Sequence, residues 1–136
     1  MKIPGVEYRT LCKYCNLSNE LLIAEEGGFR VYAYDEPFNN GHLVIVPKRH
    51  VPLTELSTSE LYHALKLVRR AEAVLRRVYN PHGLNVGLVT YPHAAFHVVP
   101  RWNGDVSFIK VFFNAKPIPE TPMEYARRIR NAWEQA

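Results

Sequence analysis

The chain has 136 residues, of which 47% are hydrophobic and 22% charged, an ordinary composition for one globular domain long enough to bury a core. No apolar run approaches the ~18 residues of a membrane span, and residues 1–9 lack the apolar core of a secretory signal, so we expect a single-domain cytoplasmic protein over residues 1–136. The net charge of +4 suits a polyanionic ligand, although a modest positive charge often serves solubility alone.

The only two cysteines, Cys12 and Cys15, stand in the motif Cys-Lys-Tyr-Cys. In a reducing compartment this spacing favours a metal half-site or a redox pair over a structural disulfide. The redox pair is the weaker alternative, because a loop-like segment follows the motif where a helix would be needed. Two thiolates cannot complete a tetrahedral zinc site, so two further ligands must come from distant positions, and imidazoles are suitable donors. The candidates are His50 and His93, with a surface histidine of no special role as the alternative for His50.

The segment after the cysteines has β character. Gly27 and Gly28 separate two runs that are rich in apolar, aromatic and β-branched residues, which predicts a hairpin. A loop rich in Asn, Pro and Gly follows, then a continuous apolar run that ends at Pro47. A basic segment, residues 48–52, then leaves the sheet. The predicted strands are residues 21–25, 29–34 and 42–46.

A long helix is predicted from Ser57 onward. Ser57 and Glu60 match a capping box, in which each side chain satisfies a free amide of the first turn. The helix should end near Asn80, and its apolar stripe should pack on the sheet. The stripe consists of Leu61, Leu65, Val68, Ala71, Leu75 and Val78. The arginines on the other side favour a solvated face over a nucleic-acid patch; they are Arg69, Arg70, Arg76 and Arg77.

The remaining elements are further strands and a second helix. A very short Tyr91-Pro92 turn separates the fourth and fifth strands, and Thr121 with Pro122 is typical of a helix start. The predicted strands here are residues 83–90 and 93–101, and a further strand-like run covers residues 107–113. This order indicates an α+β fold with a mostly antiparallel, five-stranded sheet, one long packed helix and a C-terminal helix.

The fifth predicted strand carries the most unusual pattern. Side chains alternate along a strand, so His93, Ala95 and His97 should lie on one face. Two imidazoles so close together in an apolar run suggest a metal, a phosphate or a shared proton. Two half-buried histidines without such a role remain the alternative.

Three segments in this order resemble the histidine-triad (HIT) superfamily over residues 12–113: residues 40–50, the capped helix, and residues 93–105. The resemblance implies a homodimer whose sheets join across the subunits, and a nucleotidyl hydrolase or transferase that acts on the α-phosphate of a nucleotide through a covalent nucleotidyl-histidine. In members that carry Cys-x-x-Cys, structural zinc is held by both cysteines, a histidine after the third strand and the first triad histidine. These positions are Cys12, Cys15, His50 and His93.

The chain departs from this family at the reaction centre. The family's signature is His-x-His-x-His, and its middle histidine is the nucleophile. Ala95 occupies that position, and a methyl group has no lone pair with which to attack phosphorus. His97 could still hold a phosphate. Ala95 is either a deliberate replacement of histidine or a natural loss.

The expected nucleotide contacts also differ from the family pattern. The glycine-containing phosphate loop of the family has no room in residues 88–92, so fewer backbone amides would face a phosphate. By register, Tyr34 occupies the family's ribose-binding position, with Asp35 as a possible substitute. The candidate nucleotide-binding residues are Tyr32, Tyr34, Asp35, His42 and His97.

Three functional hypotheses follow. The first is a histidine-triad nucleotide hydrolase or transferase that lacks its nucleophile. The second is a zinc-stabilised protein that binds a nucleotide or phosphate without turnover. The third and least favoured is a basic RNA-binding or partner-binding module, which would bind with a steep salt dependence.

Overall fold

The computed structural model describes residues 11–103 and 120–135. Its strands form one antiparallel sheet in the order β1-β2-β3-β5-β4, with two α-helices. The elements are β1 Leu22–Glu26, β2 Phe29–Ala33, β3 Leu43–Pro47, α1 Thr58–Tyr79, β4 Gly83–Val89, β5 Ala95–Arg101 and α2 Pro122–Glu134. The predicted α+β architecture is therefore confirmed, while the strand predicted at residues 107–113 lies outside the described residues. No helix within the described ranges is long and apolar enough to cross a membrane.

The start of β5 differs from the prediction. The strand was expected at His93 and begins at Ala95. The reason is that the backbone N–H of Ala94 donates to the carbonyl of Val51 at 2.8 Å, so it bonds to the segment after β3 and not to a neighbouring strand. This bond brings His93 beside the loop that carries His50.

Helix α1 begins as predicted. The hydroxyl of Ser57 accepts from the backbone N–H of Glu60 at 3.1 Å, and the Glu60 carboxylate accepts from the N–H of Ser57 at 2.8 Å. Asn80 ends the helix in the left-handed region at φ 47°. The predicted stripe was wrong at Leu65, which is 60% exposed, because the buried face is rotated towards smaller residues. The buried residues of this helix are Ala64, Leu67, Ala71, Val74 and Leu75.

Helix α2 connects α1 to the sheet. The hydroxyl of Tyr125 donates to the carbonyls of Tyr34 at 3.0 Å and His42 at 3.1 Å, which anchors the loop before β3. Arg70, expected on a solvated face, instead donates to the carbonyl of Trp133 at 2.7 Å and stacks on its ring. The two helices are therefore joined through a half-buried guanidinium.

Gly41 is required at the entrance to β3. Its φ is +82°, and a Cβ there would lie 2.7 Å from a ring carbon of Tyr79 and 3.0 Å from a methyl of Leu75. We expect Gly41→Ala to lower the free energy of unfolding by about 2–4 kcal/mol, through left-handed strain and overpacking. Gly28→Ala is the matched control, because Gly28 has φ +84° and open space around it. Gly28→Ala should lower the free energy of unfolding only by the cost of left-handed strain, about 1–2 kcal/mol. Equal losses in urea denaturation would contradict the steric argument.

Candidate functional site

Four donor atoms converge at one end of the sheet. The thiols of Cys12 and Cys15 and one nitrogen each of His50 and His93 all lie within 4.8 Å of one another. The Sγ of Cys15 is 3.2 Å from Nδ1 of His50, and Nδ1 of His93 is 3.4 Å from each sulfur. The two imidazole Nδ1 atoms are 3.2 Å apart. A tetrahedral zinc ion with bonds of about 2.0–2.3 Å separates its ligands by roughly 3.3–3.8 Å, so these residues could hold such an ion.

Local structure explains how these donors meet. A short 3-10 turn, Lys13–Cys15, brings the two thiols together, and its amide of Cys15 donates to the carbonyl of Cys12. His93 is 1% exposed, and its Nε2–H donates to the carbonyl of Pro47 at 3.0 Å. That bond leaves Nδ1 without a proton and directed at the thiols. Burial lowers the pKa of His93, which favours the neutral form that a metal needs.

A second cluster lies beside the four donors and contains His42, His97, Tyr14 and Tyr34. Nε2 of His42 is 2.9 Å from Nδ1 of His97, and Nε2 of His97 is 2.9 Å from the hydroxyl of Tyr14. The ring of Tyr34 packs 4.8 Å from His42 and 4.9 Å from His97, measured between ring centroids. Burial lowers the pKa of His97, with a further contribution from the charge of Lys13. Both effects favour the neutral form of the His97 imidazole.

Lys13 adds a positive charge next to this cluster. Its Nζ lies 4.5 Å from the centroid of the Tyr34 ring and 3.1 Å from the carboxylate of Asp35, and it also pairs with Glu36. Although burial lowers the pKa of Lys13, the hydrogen bonds with the two carboxylates raise it overall. Asp35, a candidate ribose ligand, is therefore held in an ion pair beside Tyr34.

The other predicted site residues occupy different surroundings. Ala95 is 0% exposed and pairs with Val89 of β4. Tyr32 is buried in the core and pairs with Val44, which in turn pairs with His97. Tyr32 thus lies on the same face as His97 but two strands away, roughly 10 Å. The structure brings Tyr34, His42 and His97 together and leaves Tyr32 at a distance.

Two residues at this site, Tyr14 in the cluster and Lys13 next to it, were missed by the sequence reasoning. Both lie inside the Cys-x-x-Cys motif, which was read only for its thiols. The sequence did indicate them, because a residue between two ligands of one metal must itself lie close to that metal and to its other ligands. Burial raises the pKa of the Tyr14 hydroxyl to about 12, and the neighbouring Tyr34 adds to the effect. Tyr14 is therefore a neutral phenol at physiological pH.

Sequence comparison connects the chain to known proteins. The HIT domain matches residues 18–101. AP-4-A phosphorylase of Mycobacterium tuberculosis is 36% identical over 131 residues, which cover 86% of this chain and 66% of that protein. An asymmetrical bis(5'-nucleosyl)-tetraphosphatase of Schizosaccharomyces pombe is 32% identical over 80 residues, or 53% of this chain and 44% of that protein. The chain thus spans less than two thirds of the length of these relatives.

Solved structures show the same fold. A zinc-bound histidine triad family protein of Mycobacterium smegmatis superposes with a TM-score of 0.72 at 24% identity, covering 93% of this chain and 96% of that one. A uridylyltransferase superposes with a TM-score of 0.73 at 20% identity, covering 91% of this chain and 46% of that one. The matched domain, which takes up more than half of the sequence, establishes that this chain belongs to the HIT family.

Proposed function

We propose that this protein is a zinc-stabilised nucleotide-binding member of the HIT family that binds its ligand without forming a nucleotidyl-histidine. One observation carries the proposal. A buried methyl group, Ala95, stands between His93, whose Nδ1 lies among the metal donors, and His97, which belongs to the histidine cluster. Nucleophilic catalysis needs a lone pair on the attacking side chain. The remaining residues retain polar and aromatic groups suited to recognition.

Nucleotides are the proposed ligand class for two reasons. Two relatives are named for dinucleoside polyphosphates. The cluster itself offers a half-buried aromatic ring, Tyr34, next to the hydroxyl of Tyr14, which is hydrogen-bonded to His97. An aromatic face can stack on a base, and neutral donors can bind phosphate oxygens without a large desolvation cost. Adenine nucleotides are therefore the first ligands to test.

Zinc is the proposed metal, at one ion per chain. Two thiolates and two neutral imidazoles form a closed donor set, which is typical of structural zinc sites and leaves no position for substrate. Bound zinc would crosslink the cysteine turn, the segment after β3 and the turn before β5. The cysteine turn carries Tyr14, which contacts His97, and the turn before β5 leads into the strand of His97, so the metal would hold the binding cluster in shape.

The proposed function is tested by calorimetric titration of the zinc-loaded protein with AMP, ADP and diadenosine tetraphosphate, followed by chromatography of the ligands. We expect saturable binding of at least one ligand and its recovery unchanged. His97→Ala should weaken binding about tenfold or more, the value of one or two lost hydrogen bonds. His82→Ala, at an exposed position before β4, is the control and should bind like the original chain. Consumption of the ligand, or binding of none of them, would contradict the proposal.

We also propose that the protein forms a homodimer through β4 and α1. Within the described residues β4 is an edge strand, and its side chains Val86 and Leu88 are 53% and 42% exposed. Leu65 of α1 is exposed as well, and a groove of about 550 Å³ separates the two elements. An apolar sheet edge of this kind is a template for pairing with a second copy.

Sedimentation analysis tests the dimer. Val86→Lys should shift the protein from dimer to monomer, because it places a charge in the apolar contact. Met123→Lys is the matched control, since Met123 is similarly exposed but lies on α2. A monomeric original chain, or equal effects of the two variants, would overturn this interface.

A further inference from the structure

The hydrogen bonds of the histidine cluster have a defined direction. The backbone N–H of Phe38 donates to Nδ1 of His42 at 3.0 Å. A backbone amide can only donate, so Nδ1 of His42 carries no proton. In neutral His42 the proton is then on Nε2, which lies 2.9 Å from Nδ1 of His97. His42 is therefore the donor to His97.

The same argument extends to Tyr14. Because Nδ1 of His97 accepts from His42, the proton of neutral His97 is on Nε2. Nε2 lies 2.9 Å from the hydroxyl oxygen of Tyr14, so His97 donates and Tyr14 accepts. The hydroxyl proton of Tyr14 is then directed away from His97, on the side of the Tyr34 hydroxyl with which it also interacts, and a bound phosphate oxygen would take the place of Tyr34 as its acceptor. The chain of donors begins at a backbone amide and ends at a phenol.

The metal-binding turn fixes the position of that phenol. Tyr14 lies between Cys12 and Cys15, and its ring centroid is 6.0 Å from that of His93 and 5.8 Å from that of His97. These two histidines flank Ala95 in the sequence. We infer that the ring takes up part of the space that a side chain larger than methyl would need at position 95.

We propose that Tyr14 is the ligand-contacting donor of this site, and that its hydroxyl binds a phosphate oxygen in place of the missing second histidine. This inference rests on the proposed nucleotide-binding function and adds a residue and a direction of hydrogen bonding to it. The ligand it fits is an oxyanion with acceptor oxygens, such as the phosphate of a nucleoside monophosphate. His97 acts here as a positioning residue, because its donation orients the hydroxyl of Tyr14.

The donor direction also excludes one chemical role for Tyr14. A tyrosine nucleophile would need His97 to accept the phenolic proton on Nε2. That requires the proton of His97 on Nδ1, and then the proton of His42 on Nδ1, where the amide of Phe38 already donates. Tyr14 is thus placed to bind a phosphate, and the cluster does not supply it with a base.

Tyr14→Phe removes only the hydroxyl and keeps the ring between the two histidines. We expect the variant to hold the same zinc content, to melt a few degrees lower because the N–H of His97 loses its acceptor, and to bind AMP about tenfold more weakly, as one lost hydrogen bond predicts. Tyr62→Phe is the matched control, because Tyr62 is an exposed tyrosine on α1; its AMP affinity should equal that of the original chain. Unchanged or tighter AMP binding by Tyr14→Phe would overturn the inference.

A second measurement needs no ligand. Nitrogen-15 NMR of the imidazoles in the zinc-loaded original chain should find the proton on Nε2 in both His42 and His97. A proton on Nδ1 of His97 would reverse the donor direction and overturn the role of Tyr14. If the original chain binds no nucleotide while the tautomers are as expected, the proposed function fails and the phosphate contact with it, whereas the hydrogen-bond direction stands.

Discussion

Replacing Cys15 with serine is expected to reduce the zinc content from about one ion per chain to nearly none and to lower the melting temperature by about 15 °C. The sulfur of Cys15 contacts the ligand nitrogens of both His50 and His93, and a serine hydroxyl stays protonated at neutral pH and is a poor zinc ligand. A site filled at a thousandfold excess over its dissociation constant stabilises by about 4 kcal/mol. In a domain of this size, each kcal/mol corresponds to roughly 4 °C.

Elemental analysis and thermal unfolding check this prediction. Lys13→Gln is the control within the same turn, since it removes exposed ion pairs that are worth little and keeps both thiols. It should retain zinc and melt within a few degrees of the original chain. Treatment with a strong chelator should reproduce the effect of Cys15→Ser. A zinc-free protein that is as stable as the zinc-loaded one would contradict a structural role for the metal.

The convergence of the four candidate metal ligands could be predicted from the sequence because a closed zinc site needs a fixed number of donors. Cys12 and Cys15 supply two donors of the four that a closed site needs, and the chain contains only six histidines from which to complete it. The helix start at Ser57 was equally predictable, since a capping box depends only on residues three apart. The capping box is a local constraint, and the zinc site is constrained by its number of donors, so neither prediction requires knowledge of the tertiary structure.

Other features depend on tertiary contacts that no local pattern contains. Leu65 fits a helical stripe, yet the fold buries Ala64 and Leu67, so the buried face of α1 is rotated away from Leu65. His93 reads as part of a strand, but the Ala94 amide bonds to Val51 across the fold. Tyr14 became visible as a site residue only when the metal cluster placed it against His97.

The space around position 95 leads to a test of the lost chemistry. Ala95→His would supply the imidazole that the proposed function takes to be missing, but the ring of Tyr14 packs against both His93 and His97, on either side of this position in the sequence. The added imidazole would overpack this space at a cost of about 1–3 kcal/mol. We therefore expect the single variant to be less stable and to form little covalent product. Removing the Tyr14 ring in the same chain should create the room that the imidazole needs.

The double variant Ala95→His with Tyr14→Ala is expected to form a nucleotidyl-histidine with diadenosine tetraphosphate, detected as a covalent AMP adduct by intact-protein mass spectrometry. The new imidazole would attack the α-phosphorus, and the rest of the dinucleotide would leave. Ala95→Asn with Tyr14→Ala is the matched control, because asparagine is similar in size but its amide is not a nucleophile. A folded, zinc-loaded double variant without adduct would mean that more than the nucleophile has been lost, whereas an adduct on the original chain would contradict the proposed function. Both double variants have the same room around position 95, but only histidine there carries a nucleophilic ring nitrogen. The comparison therefore distinguishes the lack of a nucleophile from the lack of space for one.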